Sequence, residues 1–180
     1  MIRLALIQAG VSCGVHYFLI NFWRINARNS QNIFGCYSTS LLNLNCSSRL
    51  VETDPEIISD TSAVVITANA SQGNKGLLDY KGPVYVHIGL ITDSSIGPTY
   101  WRYIKFKWGS TEEAALATPS GNNKWTYKIP NIRKFFAVPE NERIQRLGIL
   151  FREGNCIDTF CKVLRNADKS DIFIPVSANN

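Results

Sequence analysis

The sequence predicts an all-β sandwich. Three observations carry that reading: short stretches alternate apolar and polar residues with period two, clusters of turn residues separate them, and no long amphipathic helix interrupts the series. The clearest stretch runs from Gly82 to Gly109. In its first strand Val84, Val86, Ile88 and Leu90 fall on one face, and Tyr85, His87, Gly89 and Ile91 on the other. A second strand is expected over 101–108, with Ile104, Phe106 and Trp108 sharing an inward face with Arg102. Trp101, Tyr103, Lys105 and Lys107 then form an outer ladder, with Tyr85 and His87 beside it. On that phase Trp108 and Trp125 are buried and Trp101 is at least partly exposed.

The other elements follow in order. Ala63 to Asn69 reads as a strand, and the turn cluster Ser71 to Gly76 offers Gly73 and Gly76 for positive φ. Thr118 to Asn123 is a loop. Trp125, Tyr127 and Ile129 alternate with Thr126 and Lys128 in a short strand closed by Pro130. Asn131 to Phe136 reads as one helical turn ended by Pro139. Ile144 to Arg152 is a strand whose buried face is Leu147, Ile149 and Phe151, and Asp171 to Val176 closes the sheet, with Pro175 favouring an edge or a strand end.

The first 50 residues differ in kind. They hold Arg3, Arg24, Arg28 and Arg49 and no acid, whereas residues 51–180 carry 15 Lys/Arg against 14 Asp/Glu, so +4 of the formal +5 lies outside the expected domain. Leu4 to Trp23 is uncharged and long enough for a signal segment or a membrane anchor, but Gln8, Ser12, His16 and Asn21 interrupt it. Cys13, Cys36 and Cys46 each lack a fitting lipidation box. Residues 1–50 are therefore expected to be a poorly structured or membrane-directed leader, or upstream sequence translated from a start placed too early. The sandwich is expected over 52–180.

Chemistry is sparse. His16 and His87 are the only imidazoles, and neither sits in a motif that supplies a nucleophile with a base. The five cysteines lack paired zinc spacing, so neither metal nor cofactor is expected. Cys156 and Cys161 bracket a loop and either pair across it in an oxidising compartment or remain two thiols. Adjacent Glu112 and Glu113 would point to opposite faces of a strand, which excludes them as a glycosidic acid–base pair. Asn45-Cys-Ser and Asn69-Ala-Ser match the glycosylation sequon, which carries no weight in a bacterium.

Residues 62–176 contain, in order, ITANASQGNKGL, YKGPVYVHIGLITDSS, PTYWRYIKFKWG, NKWTYKIPNIRKFF, VPENERIQRLGILFR and ADKSDIFIPV. This series resembles the N-terminal β-sandwich module of extracellular α-amylase-family and related starch-processing proteins of the Bacteroidetes. The resemblance implies an immunoglobulin-like fold, a secreted or cell-surface setting (periplasm or outer membrane), and service to a catalytic domain or to surface glycan-utilisation proteins. GNCIDTFCK departs from the family's Gly/Asp/Ser-rich turn, and no enzyme domain follows in this sequence.

The expected function is a non-catalytic carbohydrate-associated module that takes starch or another α-glucan. Trp101 and Tyr103 would stack on pyranose rings, and Lys105 and His87 would bond hydroxyls. The alternative is a structural spacer without a ligand. Single-stranded nucleic-acid binding could use the same aromatics, but the near-neutral charge of residues 51–180 argues against it.

Overall fold

The computed structural model describes residues 48–156 and 160–177; all but the last three residues of the expected leader, with Cys13, Cys36 and Cys46, lie outside them. Ser48–Asn180 forms one compact unit. Its strands are β1 (Val51–Asp54), β2 (Ile58–Ser59), β3 (Val64–Asn69), β4 (Val84–Thr92), β5 (Thr118–Pro119), β6 (Lys124–Ile129), β7 (Ile144–Glu153), β8 (Val163–Leu164) and β9 (Ile172–Ser177). One helical turn, α1 (Ile132–Phe136), separates β6 from β7. The strands make two sheets, β1-β3-β6-β5 and β2-β9-β7-β4, with β8 paired to β7. All pairings are antiparallel except β2 with β9.

The fold is an all-β sandwich. Val64, Ile66 and Ala68 of β3 and Trp125, Tyr127 and Ile129 of β6 meet Val86, Ile88 and Leu90 of β4 and Leu147, Ile149 and Phe151 of β7 in one buried cluster. Period-two alternation places these residues there, because each strand gives every second side chain to the same face. Leu50 and Val51 also pack against the cluster. The domain boundary expected at Glu52 therefore falls inside β1.

Most expected elements are present, with shifted ends. Gly73 takes a φ of 62°, but Lys75, not Gly76, takes the next left-handed position, at 56°. Asn131 caps α1 by accepting from the Lys134 amide at 2.9 Å, and Ala137, in the left-handed conformation, ends the helix before Pro139 is reached. Strands β1, β2, β5 and β8 were not expected; three of them are only two residues long, too short to show a period.

The expected strand over 101–108 does not form. Arg102 exchanges both backbone hydrogen bonds with Leu90, at 2.8 and 2.7 Å, and the Lys105 amide donates to the Ile88 carbonyl at 2.9 Å, but Tyr103 between them has a φ of 51°. A left-handed residue breaks the extended phase, so alternation fails on both sides of it. Phe106 is buried, but Ile104 is 50% and Trp108 is 37% exposed, contrary to the inward phase expected for both. Trp125, at 5%, is buried as expected. This segment, with Ala117 donating to the Val84 carbonyl at 2.8 Å, covers the free edge of β4.

Candidate functional site

The outer face of the β4-β7-β9 sheet is set by the phase of its inner face. Opposite the core rows stand the pairs Tyr85/Arg152, His87/Leu150, Gly89/Gly148 and Ile91/Arg146, and Gly148 is next matched to Phe173. The paired glycines leave a bare patch, and Trp101 fills it. A Cβ on Gly148 would lie 2.9 Å from the indole Cζ2, and one on Gly89 would lie 3.0 Å from Cε3 and from the Arg102 carbonyl, so a side chain at this level would have to push the loop outward.

Of the four residues expected to bind ligand, two come together. His87 stacks on Trp101, with ring centroids 5.3 Å apart and planes 22° apart, and meets Trp108 edge-on at 5.0 Å. Its Nδ1 is buried without a hydrogen-bond partner, as is the Trp101 Nε1. Burial, then the nearby Arg152 charge, holds the His87 imidazole below its ordinary pKa, with a hydrogen bond to the Phe106 backbone acting in the opposite sense.

The other two are directed elsewhere. The Tyr103 hydroxyl donates to Glu142 Oε2 at 2.5 Å, while Lys105 Nζ donates to the Phe135 carbonyl at 2.7 Å and lies 4.8 Å from the centre of that ring. Glu142 also accepts from the Thr92 hydroxyl at 2.5 Å and pairs with Arg102 Nε at 3.2 Å. Burial pushes its carboxyl up, but hydrogen bonds from Thr92 and Tyr103 and the Arg102 charge outweigh this and hold it below the ordinary value. Glu142 is thus a latch fastening the 102–103 turn to the end of β4. The flat ladder of Trp101, Tyr103, Lys105 and Lys107 is not formed.

Cys156 and Cys161 are joined in a disulfide with Cα atoms 5.2 Å apart. With Leu150 and Val163 they make a second, smaller apolar cluster against Trp101. Arg152 is fully buried on this side, donates to the Glu153 carbonyl at 3.0 Å and to the Ser110 carbonyl, and lies 5.8 and 5.7 Å from the Tyr85 and Trp108 rings. The sequon residue Asn69 is buried, and its Oδ1 accepts from the Ser71 amide at 3.0 Å.

Beside the tryptophan lies an open cleft of about 490 Å³, lined by Thr99, Arg146, Asn166, Ser170, Asp171 and Phe173. Phe173 links it to the glycine patch, its ring 5.9 Å from that of Trp101. The Arg146 guanidinium lies 4.9 Å from the Phe173 centroid and donates to the Pro98 carbonyl. The opposite rim is a self-bonded turn: Asn166 Nδ2 donates to Ser170 Oγ at 3.0 Å and to the Asp171 carbonyl at 2.8 Å, Ser170 Oγ donates to Asp168 at 2.6 Å, and Asp171 pairs with Arg165. Sequence reasoning did not single out these residues. The phases of Leu147/Ile149 and Ile172/Ile174 do put Arg146 and Phe173 on the outer face; only the meeting of three separate segments is invisible along the chain.

Among the described residues no three His, Cys, Asp or Glu side chains converge as metal ligands, and no helix is long and apolar enough to cross a membrane. Compared with known proteins, the chain matches no family model and no curated protein, so the chemistry of this face stands on its own geometry.

Proposed function

We propose that the domain is a non-catalytic carbohydrate-associated module and that a glycan occupies the Phe173 cleft. The carrying observation is an aromatic ring beside a guanidinium in a 490 Å³ depression rimmed by Thr99, Asn166 and Ser170. The apolar face of a pyranose stacks on such a ring, and its hydroxyls need donors and acceptors close by. The resemblance to modules of starch-processing proteins supports the same class, with an α-glucan as the ligand it implies and a catalytic domain or surface glycan-utilisation proteins as partners. A disulfide suits a secreted or cell-surface setting.

The site differs from the ladder that the sequence suggested, since Tyr103 is bonded to Glu142 and Lys105 to the Phe135 carbonyl. That engagement favours the second reading, a spacer that binds no ligand. A glycan array holding neutral and acidic polysaccharides separates the two. An open cleft predicts a dissociation constant on the order of 0.1 to 1 mM, lost in Phe173→Ala without a matching fall in melting temperature. Failure of every glycan to bind leaves the spacer.

A further inference from the structure

Resting on the reading of the cleft as a glycan site, we infer that the sugar it selects is acidic, a hexuronate unit whose carboxylate is taken by Arg146. The polar groups of the cleft are not equally available. Both amide hydrogens of Asn166 are used within its own turn, the Ser170 hydroxyl hydrogen goes to Asp168, and the Asp171 carboxylate is paired with Arg165. Among the described residues, Arg146 has no carboxylate within ion-pairing distance. It is the cation of the cleft that lacks a counter-charge.

Its posture suits an incoming carboxylate. Contact with the Phe173 ring and the bond to the Pro98 carbonyl fix the guanidinium at two points. A guanidinium carries five N–H donors in a planar fork, so holding one carbonyl leaves a carboxylate-matching pair. Arg165 offsets Asp171 and Asp168 accepts from Ser170 within the turn, so Arg146 is left as a cation that a neutral α-glucan would not use and a uronate would. The guanidinium lies over one face of the Phe173 ring, so the apolar side of the same sugar would meet the part of that ring still turned to the cleft. Stacking and charge pairing then act on adjacent parts of one residue, so specificity comes from the pair and not from either alone.

Affinity electrophoresis of the full chain tests this in gels containing polygalacturonate, amylopectin or dextran sulfate, with Arg146→Gln, Arg146→Lys and Phe173→Ala beside the parent. Polygalacturonate should retard the parent and amylopectin should not. Arg146→Gln should weaken that retardation by about tenfold or more, with Arg146→Lys intermediate because it keeps the charge and loses the fork. All three variants should melt near the parent. A variant that melts far below it is replaced in the comparison by the other Arg146 substitution. Retardation by amylopectin but not by polygalacturonate, unchanged in Arg146→Gln, overturns the acidic-sugar inference and leaves the glycan reading standing. Equal retardation by dextran sulfate and polygalacturonate, both abolished by moderate salt, reduces the effect to unspecific charge and overturns the inference too. No retardation in any gel removes the glycan reading itself.

Discussion

The two faces of the β4-β7-β9 sheet are built on the same strands and solve different problems. Inward, the facing rows are Val86/Phe151, Ile88/Ile149 and Leu90/Leu147, each filled with branched or aromatic side chains because another sheet lies opposite. Outward, the rows run from Tyr85/Arg152 through His87/Leu150 to Gly89/Gly148 and Ile91/Arg146. Side-chain bulk falls to nothing where a loop tryptophan presses in and returns as a charge where the cleft opens. A face covered by a sheet needs the same kind of residue in every row. One covered by loops needs bulk that varies row by row, and that variation creates a cleft.

The largest effect expected from breaking this contrast is in the core. Phe151→Ala should cost about 3 to 5 kcal/mol, since the ring is fully buried and the sheets cannot close over the gap. Trp101→Ala should cost less, because the indole is only half-buried and plugs an outer patch. Urea denaturation gives both values. Equal losses would make the loop part of the core and erase the distinction between faces.

Next comes the glycine pair. Gly148→Ala would set a Cβ 2.9 Å from the Trp101 ring and should cost about 1 to 3 kcal/mol as overpacking. In a Trp101→Ala background the penalty should nearly vanish, because the atom it would strike is gone. A double-mutant cycle reads this directly; strict additivity would mean that Gly148 is required for some other reason.

These two effects show what the chain reveals in one dimension. The strands at 64–69, 84–92, 124–129 and 144–153 were legible because each is long enough to show a period and each gives one phase of it to the core between the sheets. The stretch 101–108 showed as good an alternation and is no strand. Its neighbours decide it: Glu142, far along the chain, holds Arg102 and Tyr103, and the glycine patch draws in Trp101. Gly89 and Gly148 were visible as gaps in two strand patterns, but that they face one another depends on register. The cleft was the least legible part. Arg146 and Phe173 follow from phase, whereas the 166–171 turn reaches them only through the fold.

Acid should weaken the outer face before the latch. His87 sits neutral between Trp101 and Trp108, with Arg152 close by and smaller influences from Asp171 and Arg165. Its folded-state pKa lies below the ordinary 6.5, so the unfolded chain takes up the proton first and stability falls as pH drops below 6.5 toward the folded value. Glu142 is also held below its ordinary 4.5, so its contribution is present above that value and is lost at lower pH. Melting temperature should therefore decline in two stages. His87→Phe should remove the upper stage and leave the lower; an unchanged profile would place the upper stage on another group.

The smallest effect belongs to Trp108, the residue whose expected inward phase the structure reverses. More than a third of the side chain is exposed, so its removal returns little apolar area to water. What is lost is the edge contact with His87 at 5.0 Å and the Arg152 guanidinium 5.7 Å from the ring, contacts worth about 1 kcal/mol together. Trp108→Ala should thus cost about 1 kcal/mol in urea denaturation, well below Phe151→Ala. Water would also reach one side of the imidazole, so the His87 pKa, followed by NMR, should move up toward its ordinary value and shrink the upper acid stage. A loss matching that of Phe151→Ala, with His87 unmoved, would restore Trp108 to the interior and return the 101–108 segment to the strand that its alternation suggests.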